Sequence, residues 1–360
     1  GAVLEATPSM VVAGGVQRVH FLREAEAINR HVKTLQNQGV EAIVVTIHQG
    51  GPQPPYAGPT RAGAPGPTEG IAEVIAELDD AVDVVVSGHA HAFTNALMKN
   101  KHGHEILVTQ AWLGGGAFAA IELTIDKQTR DVVSKSASII PTYNDAGPGL
   151  SPALDVAALV KRVDAHVAPL TARVIGTAST ELPQKPNDAG ESALGNLIAD
   201  AQRVVSGVQI AWMNQGGIRT GLDQGEITWG ELFAIQPFSN TIVTMDLTGA
   251  QVQRVLEQQW LDGTTAHVLH VSGLAYRWSP AGGVGKRVLD VRLAGVPLLP
   301  AAVYRVAVNS FLAGGGGGFA VLREGKNQRT GPVDLDVLVQ YIEQLGKPVD
   351  ARIEGRIRTP

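Results

Sequence analysis

The chain has 360 residues, 44% of them hydrophobic and 18% charged, which supplies apolar surface for packed cores and excludes intrinsic disorder. At roughly 150 residues per domain, the length leads to an expectation of about two domains. A net charge of -5 argues against a protein that coats a nucleic-acid polymer, and the absence of cysteine removes disulfides, thiolate catalysis and Cys-type zinc sites.

The first residues, GAVLEATPSMVV, carry no basic region and no small-residue cleavage site, so no export signal is read there. This abrupt apolar start leads to the expectation that a further segment precedes it. No transmembrane segment is expected either: the most apolar stretch, Tyr304 to Leu322, holds Arg305 and five consecutive glycines. Residues 22–38 have helical periodicity and end at Gly39. The run EAIVVTI at 41–47 is nearly continuous in apolar character, as expected of a strand buried on both faces. A helix over 71–79 and a second buried strand over 82–87 complete a βαβ unit, which requires the two strands to be parallel. Between them, residues 50–70 contain six prolines and six glycines and are expected to form an irregular loop, a candidate lid.

A strand pair is expected near 104–125, then a polar stretch over 142–149 and a single helix over 151–172. The composition changes after that helix, so the domain boundary is placed there: 1–149, a connector at 150–172, and 173–360. In the last segment, 196–205 reads as an amphipathic helix and 208–214 as a strand, and 227–235 as a helix with a threonine cap. Strand 241–248, helix 249–260 and strand 302–309 follow, the last running into the glycine tract. The two halves share no internal repeat.

Histidines stand at the carboxyl ends of both apolar strands: His48 after AIVVTI, and His89 and His91 in GHAH after VDVVVS. Parallel strands deliver their carboxyl ends to one edge of an open sheet, where ligands bind. His89 and His91 are two apart, so in extended backbone both side chains point the same way. Imidazole is the commonest nitrogen ligand of transition metals, and three at matched strand ends point to ligation over turn hydrogen bonding. A single zinc on three histidines satisfies the pattern. A two-metal hydrolytic site would need carboxylates, and Asp79, Asp80 and Asp83 stand at the other end of the βαβ unit.

The segments MNQGGIRTGL (213–222), GEITWGELFAIQPFSNTIV (225–243), LTGAQVQRVLEQ (247–258) and FLAGGGGGF (311–319) closely resemble the C-terminal domain of 5′-nucleotidases. GESALGNLIADAQ (190–202) is similar to the entry of that domain, and IHQGG and SGHAHAF resemble the second half of the calcineurin-like metallophosphoesterase domain preceding it. The resemblance implies a fold of α/β and α+β type: a remnant of a metallophosphoesterase α/β/β/α sandwich followed by a mixed-sheet C-terminal domain. It also implies a connector helix about which the two domains rotate.

Position by position, the resemblance implies that His48, His89 and His91 belong to a centre of two divalent metal ions (Zn, Mn, Mg or Co). It implies that Asn214, Gly216, Gly217 and Arg219 meet the phosphate and base, and that Phe238 and Phe311 sandwich the nucleobase. The partner is then a nucleotide or nucleoside, and the location periplasmic, secreted or cell-surface. The family's D-x-H, G-D and G-N-H-[DE] motifs, with the catalytic histidine, are not in these 360 residues and are expected upstream. Partial or no metal occupancy and little activity are therefore expected of this chain. Gly317 replaces a family aspartate that helps hold the ribose, and NDAGES at 187–192 lacks an arginine of some members. Other readings are a related phosphodiester, pyrophosphate or thiosulfate-ester hydrolase, a non-catalytic nucleoside-binding module, or a structural surface protein. The oligomeric state is left open.

Overall fold

The short apolar runs of the first third become parallel strands in the computed structural model, which describes residues 1–9, 16, 18–51, 53, 58–143, 145, 150–260 and 267–360. By packing, the chain divides into one unit of Gly1–Pro8 with Arg18–Pro152 and a second containing Ala153–Pro360. The fold is of mixed α/β and α+β type.

In the first unit, β1 (Ala2–Val3), β2 (Val44–His48), β4 (Val84–Val86) and β6 (Glu105–Ala111) run parallel. Strand β5 (Phe93–Lys99) closes that sheet antiparallel to β6, giving the order β1-β2-β4-β6-β5. Helices α1 (Glu24–Asn37) and α2 (Ile71–Glu77) cover one face, setting Ile28, Val32, Ile71 and Ile75 against Val45, Ile47, Val85 and Val108. On the other face Val84 and Leu107 meet Ala137 of a second, antiparallel sheet made of β3 (Gly58–Pro59), β8 (Val132–Pro141) and β7 (Ala117–Ile125). The layers among the described residues are thus α/β/β.

Three expectations change here. Strand β2 is buried on one face only, since Val44 is 49% exposed while Val45 and Ile47 are in the core. The strands in 104–125 are not a pair: β6 joins the parallel sheet, and β7 pairs with β8 in the other. The proline-rich loop is not wholly irregular, because Gly58 and Pro59 pair with Ile139 and Ser138. The rest of the lid reading falls partly on residues 52 and 54–57, outside the described residues, as do 144 and 146–149 of the polar stretch.

The second unit opens with α3 (Leu154–Thr171), none of whose residues is buried. Its central sheet has the order β13-β10-β17-β12-β18, formed by Leu269–Ser272, Ile210–Asn214, Val303–Asn309, Thr241–Thr248 and Lys326–Val333. Successive residues of β10 face opposite cores, as the period of two requires. Ala211 and Met213 pack with α4 (Ala193–Ser206), α5 (Trp229–Ile235) and α8 (Asp334–Leu345). Ile210 and Trp212 pack with α6 (Gly249–Glu257) and with β14 (Leu274–Trp278) and β15 (Val288–Leu293). Helix α4 starts where the Ser192 side chain accepts the Gly195 N–H, and stops at Gly207, whose φ of 62° is left-handed. Helix α5 carries the expected threonine cap, a reciprocal box between Thr228 and Glu231.

Candidate functional site

Strands β2, β4 and β6 bring their carboxyl ends to one edge of the first unit. His48 ends β2, and His89 lies three residues beyond Val86, the last residue of β4. There His48 Nε2 lies 3.3 Å from His89 Nδ1, the two rings edge to face with centroids 5.0 Å apart. Two nitrogens held by one metal at about 2.1 Å and a tetrahedral angle lie about 3.4 Å apart, so this spacing fits two ligands of a single ion. Burial, and then the neighbouring His48 and His91, lower the pKa of His89, which favours the neutral imidazole that metal ligation requires.

His91 is exposed and does not join that pair in a group of three metal-capable side chains among the described residues. The reason is local. The expected extended backbone is absent, because His89 has φ of 69° and His91 of 50°, both left-handed, so the alternation of a strand does not apply. Among the described residues, the donor set therefore fits part of a metal site, two imidazole nitrogens without a carboxylate. Behind it lies a group that the sequence did not single out. Gln110 at the end of β6 is 2% exposed, and neither polar atom of its amide has a partner. A Cβ on Gly50 would come 2.5 Å from Gln110 Oε1 and 2.2 Å from the carbonyl oxygen of Gly88, so the glycine lets three segments meet beneath the histidines.

In the second unit the candidate residues gather where parallel strands β10 and β17 end. Asn214 closes β10 and Asn309 closes β17, and the Asn309 amide donates to Asn214 Oδ1 at 2.8 Å. Gly216 and Gly217 form the turn that follows, with Gly217 buried. Arg219 donates to the Gly216 carbonyl at 3.2 Å, and its guanidinium lies 5.7 Å from the centre of the Phe238 ring, a cation–π arrangement. Phe238 is 53% exposed, and the chain turns away after it at Ser239, where φ is 53°. Phe311 lies in the short helix α7 (Ser310–Ala313) and is half-buried, packed on the core beneath it. Its ring lies on the glycine tract, since a Cβ on Gly316 would fall 2.5 Å from it.

Asn309 was not singled out by sequence reasoning. Fully buried, it caps α7 by accepting the Leu312 N–H and so ties Phe311 to Asn214. An asparagine immediately before the SFLA turn was a readable cap signal. A second such link is His270, also fully buried, whose Nε2 meets Gln215 Oε1 at 2.6 Å, next to the glycine turn.

Residues 174–324 match the family model described as 5′-nucleotidase, C-terminal domain. The solved structure of a 5′-nucleotidase precursor from Thermus thermophilus is 31% identical, with a TM-score of 0.72, covering 94% of this chain and 68% of that one. The chain belongs to the 5′-nucleotidase family. It is also 31% identical to "Endonuclease YhcR" of Bacillus subtilis (strain 168) and 32% identical to "Cell wall protein Lmo0130" of Listeria monocytogenes serovar 1/2a. Both likenesses cover 99% of this chain, but it spans only 28% and 48% of those relatives' length. No described helix is long and apolar enough to cross a membrane.

Proposed function

We propose that this chain serves metal-dependent hydrolysis of nucleotide phosphate esters, its second unit holding the nucleotide and its histidine edge supplying part of the metal ligand set. The observation that carries the reading is the 3.3 Å apposition of His48 Nε2 and His89 Nδ1 at the carboxyl edge of a parallel sheet. In the second unit, Arg219 offers N–H donors for a phosphate, and Phe238 and Phe311 offer ring faces for a base. Asn309 fixes the Asn214 amide through its oxygen, which leaves that amide's N–H group for the ligand. A bound divalent ion would polarise the phosphoryl group and acidify a water. The residues of the chain do the rest: His48 and His89 hold the cation, and the second unit holds the nucleotide.

Two neutral nitrogens supply no charge to offset a divalent cation, so little turnover is expected of these residues alone. The location proposed is secreted or cell-surface, in keeping with the cell wall protein among the relatives. Calorimetry with adenosine and AMP, with and without manganese, combined with phosphate release, tests the reading. Binding of both ligands, with AMP strengthened by manganese and that gain removed by His89→Ala, is expected. Absence of binding would return the chain to a purely structural role, and robust AMP hydrolysis would overturn the partial-site argument.

A further inference from the structure

Strand β6 ends beside β4, and their register pairs Val86 with Thr109. Three residues beyond each stand His89 and Trp112, so neighbouring strands, roughly 4.8 Å apart, deliver an imidazole and an indole to the same edge. Both residues have left-handed backbone, His89 at φ 69° and Trp112 at φ 55°. For a side chain as bulky as tryptophan that conformation is unfavourable, and such strain gathers at functional sites.

The surroundings hold the indole in place. The Trp112 backbone N–H donates to the Ala92 carbonyl at 3.0 Å, one residue after His91. The ring stacks on Phe93, with centroids 5.9 Å apart and planes inclined by 24°. A Cβ on Gly116 would strike the ring at 2.8 Å, so only glycine lets it lie there. Yet Trp112 stays 49% exposed. A ring needed only for packing would be covered, whereas this one is clamped by Phe93 and Gly116 and keeps half its surface open at the strand edge that carries the histidines.

We propose that Trp112, backed by Phe93, is a stacking ledge for the aryl group of a phosphate ester other than a nucleotide, one whose phosphoryl group meets the histidine edge. The proposal rests on the reading of that edge as a phosphoryl site. Every aryl ring has a face to offer, and a held indole loses little freedom when it stacks. The ledge thus favours esters carrying a planar ring over alkyl esters of equal charge.

The test uses the full chain with manganese in a Phe311→Ala background, which removes a ring of the second unit. Calorimetry compares 1-naphthyl phosphate with methyl phosphate. A preference for the naphthyl ester of about 5- to 150-fold is expected. Trp112→Gly, which suits the left-handed backbone, should remove the preference while leaving methyl phosphate affinity unchanged, and Trp112→Phe should restore part of it. An unchanged preference in Trp112→Gly, or none in the parent, overturns the ledge. If manganese and His89→Ala leave both esters unaffected while Trp112→Gly still abolishes the preference, the ledge stands and the phosphoryl reading of the edge falls.

Discussion

Gly316→Ala probes whether the Phe311 ring takes part in nucleoside binding. A Cβ at 316 would lie 2.5 Å from Phe311 Cε2 and 2.6 Å from Cδ2 and Cζ, so the ring must move by about 1 Å to reach ordinary contact. The obstructing atoms are the far end of a side chain that can rotate, so the cost falls on ring position more than on folding. Stacking on one base is worth about 1–3 kcal/mol, which bounds the loss at about 5- to 150-fold in adenosine affinity. Urea unfolding should shift by less than about 1 kcal/mol over the same change. Gly317→Asp is the control: its Cβ meets only ordinary contacts of 3.5–3.6 Å, and the φ of 64° suits aspartate better than most residues. It supplies the aspartate that the resemblance implies at this position and should bind adenosine at least as well as the parent. Calorimetry with adenosine on Gly316→Ala, Phe311→Ala and the double variant decides. Affinity within twofold of the parent in Gly316→Ala, or an undiminished loss in the Phe311→Ala background, refutes the reasoning.

Gly195→Ala sets two effects against each other. Helix propensity favours alanine by about 1 kcal/mol, but its Cβ would lie 2.2 Å from the buried His270 ring, and overpacking costs typically about 1–3 kcal/mol. Net destabilisation in urea unfolding is expected, and a more stable variant would show that the α4–β13 contact yields freely. His270 also predicts a pH dependence, since burial pulls its pKa from 6.5 down to about 4. The unfolded chain takes up the proton first, so this contribution to stability is complete above pH 6.5 and declines as pH falls toward 4. The loss amounts to about 3 kcal/mol. Unfolding curves between about pH 7.5 and 4 should be flatter for His270→Gln than for the parent, and parallel curves would refute the assignment.

Local chemistry made much of the second unit readable. The run at 241–248 is the strand observed, and the threonine cap read at 227–235 is where the structure has it, while the helix read over 196–205 starts three residues earlier, at the Ser192 cap. What was not readable depended on partners distant in the chain. FTNALMK at 93–99 does not alternate, and it becomes a strand because β6 pairs along its whole length. KNQRTGPV is polar and contains glycine and proline, yet it forms the edge strand β18 on β12. At the candidate site, strand-end placement of His48 and His89 followed from the sequence, while the left-handed turns at His89, His91 and Trp112 did not. Glycine or asparagine would have signalled such turns, and these residues do not.

Charge in the first unit is distributed unequally between the two ends of the parallel strands. At the amino end, Asp83 accepts the Ile43 N–H and faces Lys135, while Asp80 is engaged by Asn100 and His102. Those carboxylates are spent on closing the βαβ unit. At the carboxyl end stand imidazoles, an orphaned glutamine amide and an indole, none of them negative. On the proposed reading, a cation placed there gains ligands but little compensation of charge, and the phosphate of the substrate becomes its nearest anion. Cation and phosphate should then each raise the other's affinity by the same factor, as linkage requires of two ligands that share one site. A nucleoside lacks that anion, so manganese should leave adenosine binding unmoved while it strengthens AMP.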